Sequence, residues 1–348
     1  MEIGIDSFVA VNARPAPVDD GTLARRVREL LEEIELADRC GVDVFAVGEH
    51  HREEFVASSP AVLLAAAAAR TKNIRLASAV SVLSSDDPIR LFQQFATIDL
   101  ISGGRAEIIV GRGSFIESYP LFGFDLKDYD TLFAEKLDLL LKLRDSVGVT
   151  WAGRHRAPLT GQGVFPRPVQ NPLPIRLGVG GTPQSFARAG MLGMPLVIAI
   201  IGGEFERFRP LVELYREAWR RGGHAGAPWV GVHTLGFVGD TAEAAAAALW
   251  PSHQKMMTKI GSERGWPPLT RAQFDQSRSP GGALLCGSPR EVADKIAHIN
   301  EALGGVERVT LRMDGQLIAH HDMLRAVELL GRDVKAMVPA HPLPVTSR

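Results

Sequence analysis

Cysteine is nearly missing from this chain: Cys40 and Cys286 are the only two among 348 residues. They stand far apart, in a spacing that fits neither a disulfide framework nor a zinc site. An excess of one charge is missing too, since 39 Lys and Arg against 40 Asp and Glu leave a formal net charge of −1. Such a balance draws in neither nucleic acid nor an anionic membrane. No apolar run reaches the roughly 18 residues of a membrane-spanning helix. The opening Met1-Glu2-Ile3-Gly4-Ile5-Asp6 lacks a basic region followed by an apolar one, so no signal peptide is expected and the predicted location is cytoplasmic. The H-E-x-x-H pattern of metal hydrolases is absent, as is the G-x-S-x-G nucleophile elbow. What is present is ordinary for a globular chain able to bury a large core: 45% hydrophobic and 23% charged residues. A prior of about 150 residues per domain suggests two domains, but α/β barrels exceed it as one, and 1–348 is read as a single domain.

Strand-like and helix-like segments alternate along the chain. Strands are predicted at 2–9, 43–48, 74–82, 106–111, 174–179, 196–201, 229–238 and 308–312, the inner ones as apolar runs of buried parallel type. Helices are predicted between them, with Asp87-Pro88 and Ser288-Pro289-Arg290-Glu291 as clear starts and Gly103-Gly104 as a clear stop. Asp240-Thr241-Ala242-Glu243 has the pattern of a further capping box, and a last helix is expected over 322–338. Two stretches, around 149–173 and 261–285, break the rhythm and are expected as irregular insertions. Eight strands alternating with helices match a (β/α)8 TIM barrel; a doubly wound open sheet is the competing α/β architecture.

The strongest local signal is Val44-Phe45-Ala46-Val47-Gly48-Glu49-His50-His51, an apolar strand that stops at a carboxylate and two histidines. In parallel α/β proteins the carboxyl ends of strands carry the chemistry. Histidine relays protons near neutral pH, and Glu49 can orient a histidine; the alternative is a pair of surface histidines in a loop. After the fourth strand, Arg112 stands between Gly111 and Gly113, where it needs either an anionic ligand or a carboxylate such as Glu107 or Glu117. After the fifth, Gly180 and Gly181 permit close backbone approach, and a helix opens at Thr182-Pro183-Gln184-Ser185. Helix N–H groups with the Thr182 and Ser185 hydroxyls suit a phosphate, although an ordinary Thr-Pro cap has the same sequence. The glycines there do not match the G-x-G-x-x-G dinucleotide pattern. His233, within a strand, and His320-His321 are weaker candidates.

Read in order, these segments resemble the bacterial luciferase-like flavin-dependent monooxygenases. The likeness is carried by Gly48-Glu49-His50-His51, Leu83-Ser84-Ser85-Asp86-Asp87-Pro88-Ile89-Arg90 and Ile98-Asp99-Leu100-Ile101-Ser102-Gly103-Gly104-Arg105. It continues through Val110-Gly111-Arg112-Gly113, Phe122-Gly123-Phe124-Asp125, Val179-Gly180-Gly181-Thr182-Pro183-Gln184-Ser185 and Gly287-Ser288-Pro289-Arg290-Glu291-Val292.

The resemblance implies a barrel that binds FMN at the carboxyl ends of its strands and uses reduced FMN and O2 to oxygenate a small organic substrate. In enzyme terms it implies a monooxygenase acting on paired donors. It makes His50 the catalytic histidine, beside Glu49 and His51. It assigns the cofactor phosphate to Arg112, with the turn Gly180, Gly181, Thr182 and Ser185. A non-prolyl cis peptide would fall at Ala79-Val80, next to Ser81, behind the flavin ring. Homodimers and a separate flavin reductase are further family expectations. Two readings compete: a related F420-dependent oxidoreductase, whose branch more often carries an aspartate-histidine-phenylalanine motif at the second strand, and a flavin-binding protein without turnover. The mobile segment of light-emitting luciferases is not recognisable, so light emission is not expected. The 261–285 stretch, with Trp266 and Phe274, is either an active-site lid or an inert surface loop.

Overall fold

The computed structural model describes residues 1–12 and 20–339. Its main strands are β1 (Glu2–Ser7), β2 (Val44–Val47), β3 (Arg75–Ser78), β4 (Ala106–Gly111), β5 (Ile175–Val179), β6 (Leu196–Ala199), β7 (Val230–Val238) and β8 (Arg308–Arg312). Each pairs with the next, β8 pairs with β1, and the ring closes as a parallel (β/α)8 barrel. No helix among the described residues is long and apolar enough to cross a membrane.

The contacts divide the chain into two compact units. One comprises Met1–Asp6, Leu36–Val44 and Val179–Arg348. Its strands bury Ile3, Ile198, Val232, Val309 and Leu311 completely, as parallel strands covered on both faces must. Within it His233 Nδ1 lies 3.0 Å from the buried Asp6 carboxylate, so this histidine is a partnered strand residue.

The other unit comprises Ser7–Glu35 and Phe45–Gly178. Here the Ile98–Arg105 motif is structural. Asp99 is fully buried and accepts hydrogen bonds from the Ala106 N–H (3.1 Å), the Gln170 N–H (2.9 Å) and Gln170 Nε2 (2.7 Å). Arg105 donates to the carbonyls of Ala68, Thr71, Ile74 and Ser102. Between them, the helix Pro88–Ser102 ends in a left-handed Gly103 (φ 68), the glycine stop predicted there.

Several expected boundaries move. The first strand stops at Ser7 because Val9 turns left-handed (φ 56), its N–H donating to Ser7 Oγ at 3.0 Å. The third stops at Ser78, before the cis peptide Ala79–Val80, and resumes as the short strand Ser81–Val82. The 149–173 stretch is not irregular throughout: Gly148–Trp151 pairs with Leu159–Gly163 as an antiparallel hairpin. Trp151 Nε1 anchors that hairpin by donating to Asp138 at 2.8 Å.

Nor is 261–285 irregular throughout. The helix Ala242–Glu263 runs into it, and Arg271–Ser277 forms a second helix with a capping box from Thr270 to Gln273. Phe274 is fully buried against Trp250 and His253, while Trp266 is half-exposed. The predicted Asp240–Glu243 box is instead a Thr241 cap, with Asp240 paired to Arg325. The last helix begins at His320.

Replacing Asp99 by Ala strands three donors at once, so we expect a loss of about 3 kcal/mol in urea unfolding. A change under about 1 kcal/mol would refute the structural role of the motif.

Candidate active site

Strand β2 is buried along its whole length, and Gly48 follows it. A Cβ on Gly48 would lie 2.5 Å from the Phe8 ring and 3.0 Å from the Ala79 carbonyl, so only glycine lets those segments close in. The next three residues take different partners. Glu49 Oε2 accepts the Val82 N–H at 2.8 Å, and its Oε1 sits 3.0 Å from His51 Nε2. Glu49 therefore orients His51, not His50. His50 is 8% exposed, and its N–H donates to the Ala57 carbonyl. Its ring lies among Phe8, Phe55 and Phe115 at centroid distances of 4.1, 4.7 and 5.3 Å.

Strand β3 brings up the cis peptide Ala79–Val80, where the resemblance placed one. The Val80 side chain lies where Cβ atoms on Gly111 and Gly178 would fall, at 2.7 and 2.8 Å. Those glycines of β4 and β5 make the room that Val80 fills. Ser81 is buried in the short strand, opposite Val110.

At the end of β4, Arg112 pairs with Asp130 at 2.7 Å and lies 5.1 Å from the Tyr129 ring centre. Neither carboxylate considered from the sequence is that partner: Glu107 pairs with Arg75 and Arg176, and Glu117 with Arg52. Asp130 is 72% exposed, so its hold on Arg112 is weak and an anionic ligand can replace it at little cost.

Glu49, His50, His51, Ala79, Val80, Ser81 and Arg112 thus all belong to one compact unit. Gly180, Gly181, Thr182 and Ser185 belong to the other. There Thr182 caps the helix Pro183–Met191 without any side-chain cap hydrogen bond, and a Cβ on Gly180 would meet nothing within 4 Å. The turn is therefore open, and the Thr182 hydroxyl is not spent on its own helix.

The sequence reading missed Asp130, the aromatic neighbours of His50, and a buried polar group beside Glu49. Asp86 is pushed up to about 6, chiefly by burial and further by the Glu49 carboxylate. Lys136, which donates to the Ser84 carbonyl at 2.7 Å, is pulled down to about 8 by burial. No spacing rule links residues 49, 86 and 136, so only the fold reveals this group.

A family model for luciferase-like monooxygenases matches residues 5–307, and the chain belongs to that family. Among curated relatives, 4-hydroxyprotoasukamycin monooxygenase of Streptomyces nodosus subsp. asukaensis is 27% identical over 306 residues, covering 81% of this chain and 79% of its own. The crystal structure of monooxygenase RslO1 from Streptomyces bottropensis superposes with a TM-score of 0.84 at 22% identity, covering 97% and 99% of the two chains. The oxygenating constituent of 3,6-diketocamphane monooxygenase from Pseudomonas putida, solved with FMN, gives 0.77 at 20% identity and the same coverage. F420-dependent tetrahydromethanopterin reductase from Methanopyrus kandleri gives 0.72 at 17% identity, again over 97% and 99%. At such identities these structures speak to fold alone. The monooxygenase relatives support an oxygenase with a flavin-type cofactor.

Asp86 also yields a pH signature. Its native value lies above the ordinary 3.8, so its stabilising contribution is complete below that value and is lost as pH climbs through about 6. We expect Asp86→Asn to raise the melting temperature by roughly 2–4 °C at pH 7.5 and hardly at all at pH 4. An equal shift at both pH values would contradict the burial argument.

Proposed function

We propose that this protein is a monooxygenase that uses reduced FMN and O2 to oxygenate a small organic molecule. The observation that carries this reading is the grouping of Glu49, His50, His51, Val80 and Arg112 in one unit, with Arg112 at the end of β4 paired to an exposed carboxylate. Arg112 would bind the FMN phosphate in place of Asp130, because a guanidinium grips phosphate through paired charge-assisted hydrogen bonds. In the other unit, Gly180, Gly181, Thr182 and Ser185 offer backbone N–H groups and hydroxyls at a helix start, an arrangement that by itself favours an anion and is proposed as cofactor-binding. Ala79, Val80 and Ser81 would line the ring. Bound and reduced, FMN supplies the electrons and the centre at which O2 is activated.

The chain's own residues handle protons and water. His50, nearly buried among aromatic rings, holds or releases a proton at a reacting atom where bulk water is scarce. His51, paired with Glu49, keeps one orientation. A separate flavin reductase would deliver reduced FMN, and the chain would work as a homodimer.

The F420-dependent structural relatives keep a second reading open, hydride transfer without oxygen. Gel filtration of the protein mixed with FMN or F420 separates the two. FMN should co-elute, Arg112→Ala should weaken it by roughly tenfold or more, and selective retention of F420 would sink the FMN reading. Reoxidation of reduced FMN by O2 should differ between wild type and His50→Ala; identical traces would leave only a flavin carrier.

A further inference from the structure

The aromatic side of the His50 site carries an assignment beyond the cofactor reading, on which it rests. Phe45, Phe92 and Phe95 of the same unit are at most 1% exposed, as core phenylalanines are. Phe8, Phe55 and Phe115 are instead all partly exposed, yet they converge on one nearly buried histidine. Apolar surface left partly wet in this way gains free energy when a ligand covers it.

The backbone works to put it there. Val9, a β-branched residue at φ 56, is an outlier for its type. It is pinned by its own N–H to Ser7 Oγ and by the Val56 N–H to its carbonyl at 3.0 Å. That turn lays the Phe8 ring on His50 and sets Phe8 edge-on to Phe55 at 5.9 Å. Strain of this kind survives only where neighbours enforce it, and it gathers at functional sites.

The local charges point the same way. Arg52 lies 4.8 Å over the Phe115 ring, but it faces two carboxylates: Glu117 at 2.7 Å and Glu54 at 3.4 Å. His51 faces Glu49. Each cation named here already faces carboxylate, so an anionic substrate would have to compete with these partners where a neutral one need not. The Arg52–Glu117 pair also straps the segment carrying Phe115 to the one carrying His50 and Phe55, holding the wall together across 65 residues of sequence.

We propose that Phe8, Phe55 and Phe115 are the specificity-determining wall of the substrate site, and that it takes a neutral, apolar or aromatic molecule and rejects carboxylates and sulfonates of the same size.

The test uses two probes of equal ring size, neutral 2-naphthol and anionic naphthalene-2-carboxylate, in equilibrium dialysis at pH 7.5 against the full chain. It is run with and without FMN, and FMN binding is measured separately. We expect 2-naphthol to bind saturably and about tenfold or more tighter than the carboxylate. Phe115→Ala should weaken 2-naphthol by about five- to tenfold, Phe115→Leu by less, and Phe165→Ala, at an exposed ring elsewhere, not at all. Glu117→Gln, which removes one carboxylate, should narrow the gap between the probes. Far-UV circular dichroism checks that each variant is folded. Equal or tighter binding of the carboxylate, no saturable binding of either probe, or equal effects of Phe115→Ala and Phe165→Ala would overturn the assignment. Loss of FMN binding with the probe preference intact would sink the cofactor reading alone.

Discussion

The Glu49 carboxylate takes the Val82 N–H with one oxygen and meets the His51 ring with the other, and much of the candidate site follows from that double use. One side chain joins the end of β2 to the segment just beyond the Ala79–Val80 peptide. Both partners are largely buried, so losing the carboxylate would leave a backbone donor and an imidazole without an acceptor in poorly solvated surroundings. Glu49 is committed in this direction, while His50 packs against aromatic rings. Two adjacent histidines therefore live in different chemistries: one polar and oriented, the other apolar and sheltered.

Glycine placement is the second constraint. Gly48, Gly111 and Gly178 each leave out a Cβ that would collide with Phe8 or Val80. Three separate segments give up side chains here, which lets Val80 and Phe8 reach positions that ordinary β residues would block. Arg112, at the end of β4, adds a fixed charge to the same unit. The exposed Asp130 keeps that charge in place without binding it strongly.

Much of this was legible in the residues, for physical reasons. Continuous apolar runs declare buried parallel strands, so β4 and β8 fall where expected, and Asp87-Pro88 and Gly103 declare the ends of their helix. The Glu49-His50-His51 cluster was visible because polar residues seldom interrupt such a run without purpose. The Ile98–Arg105 motif marked the family while hiding its role: it knits loops together through Asp99 and Arg105 and leaves ligand chemistry to others. The hairpin at Gly148–Gly163 was obscured by its glycines and Pro158, and the Arg271–Ser277 helix by its shortness. Long-range partners such as Glu117 for Arg52 and Asp130 for Arg112 obey no spacing rule. The same holds for the left-handed Val9, which no local pattern announces.

Does this one unit grip a flavin by its phosphate and present the ring to His50? A crystal structure of the protein soaked with FMN asks that question most directly. Density for the phosphate on the Arg112 guanidinium, with Asp130 released and the ring system lying against Val80 on the His50 side, is what we predict. A phosphate bound away from Arg112, or a ring on the far side of Val80 from His50, would contradict it.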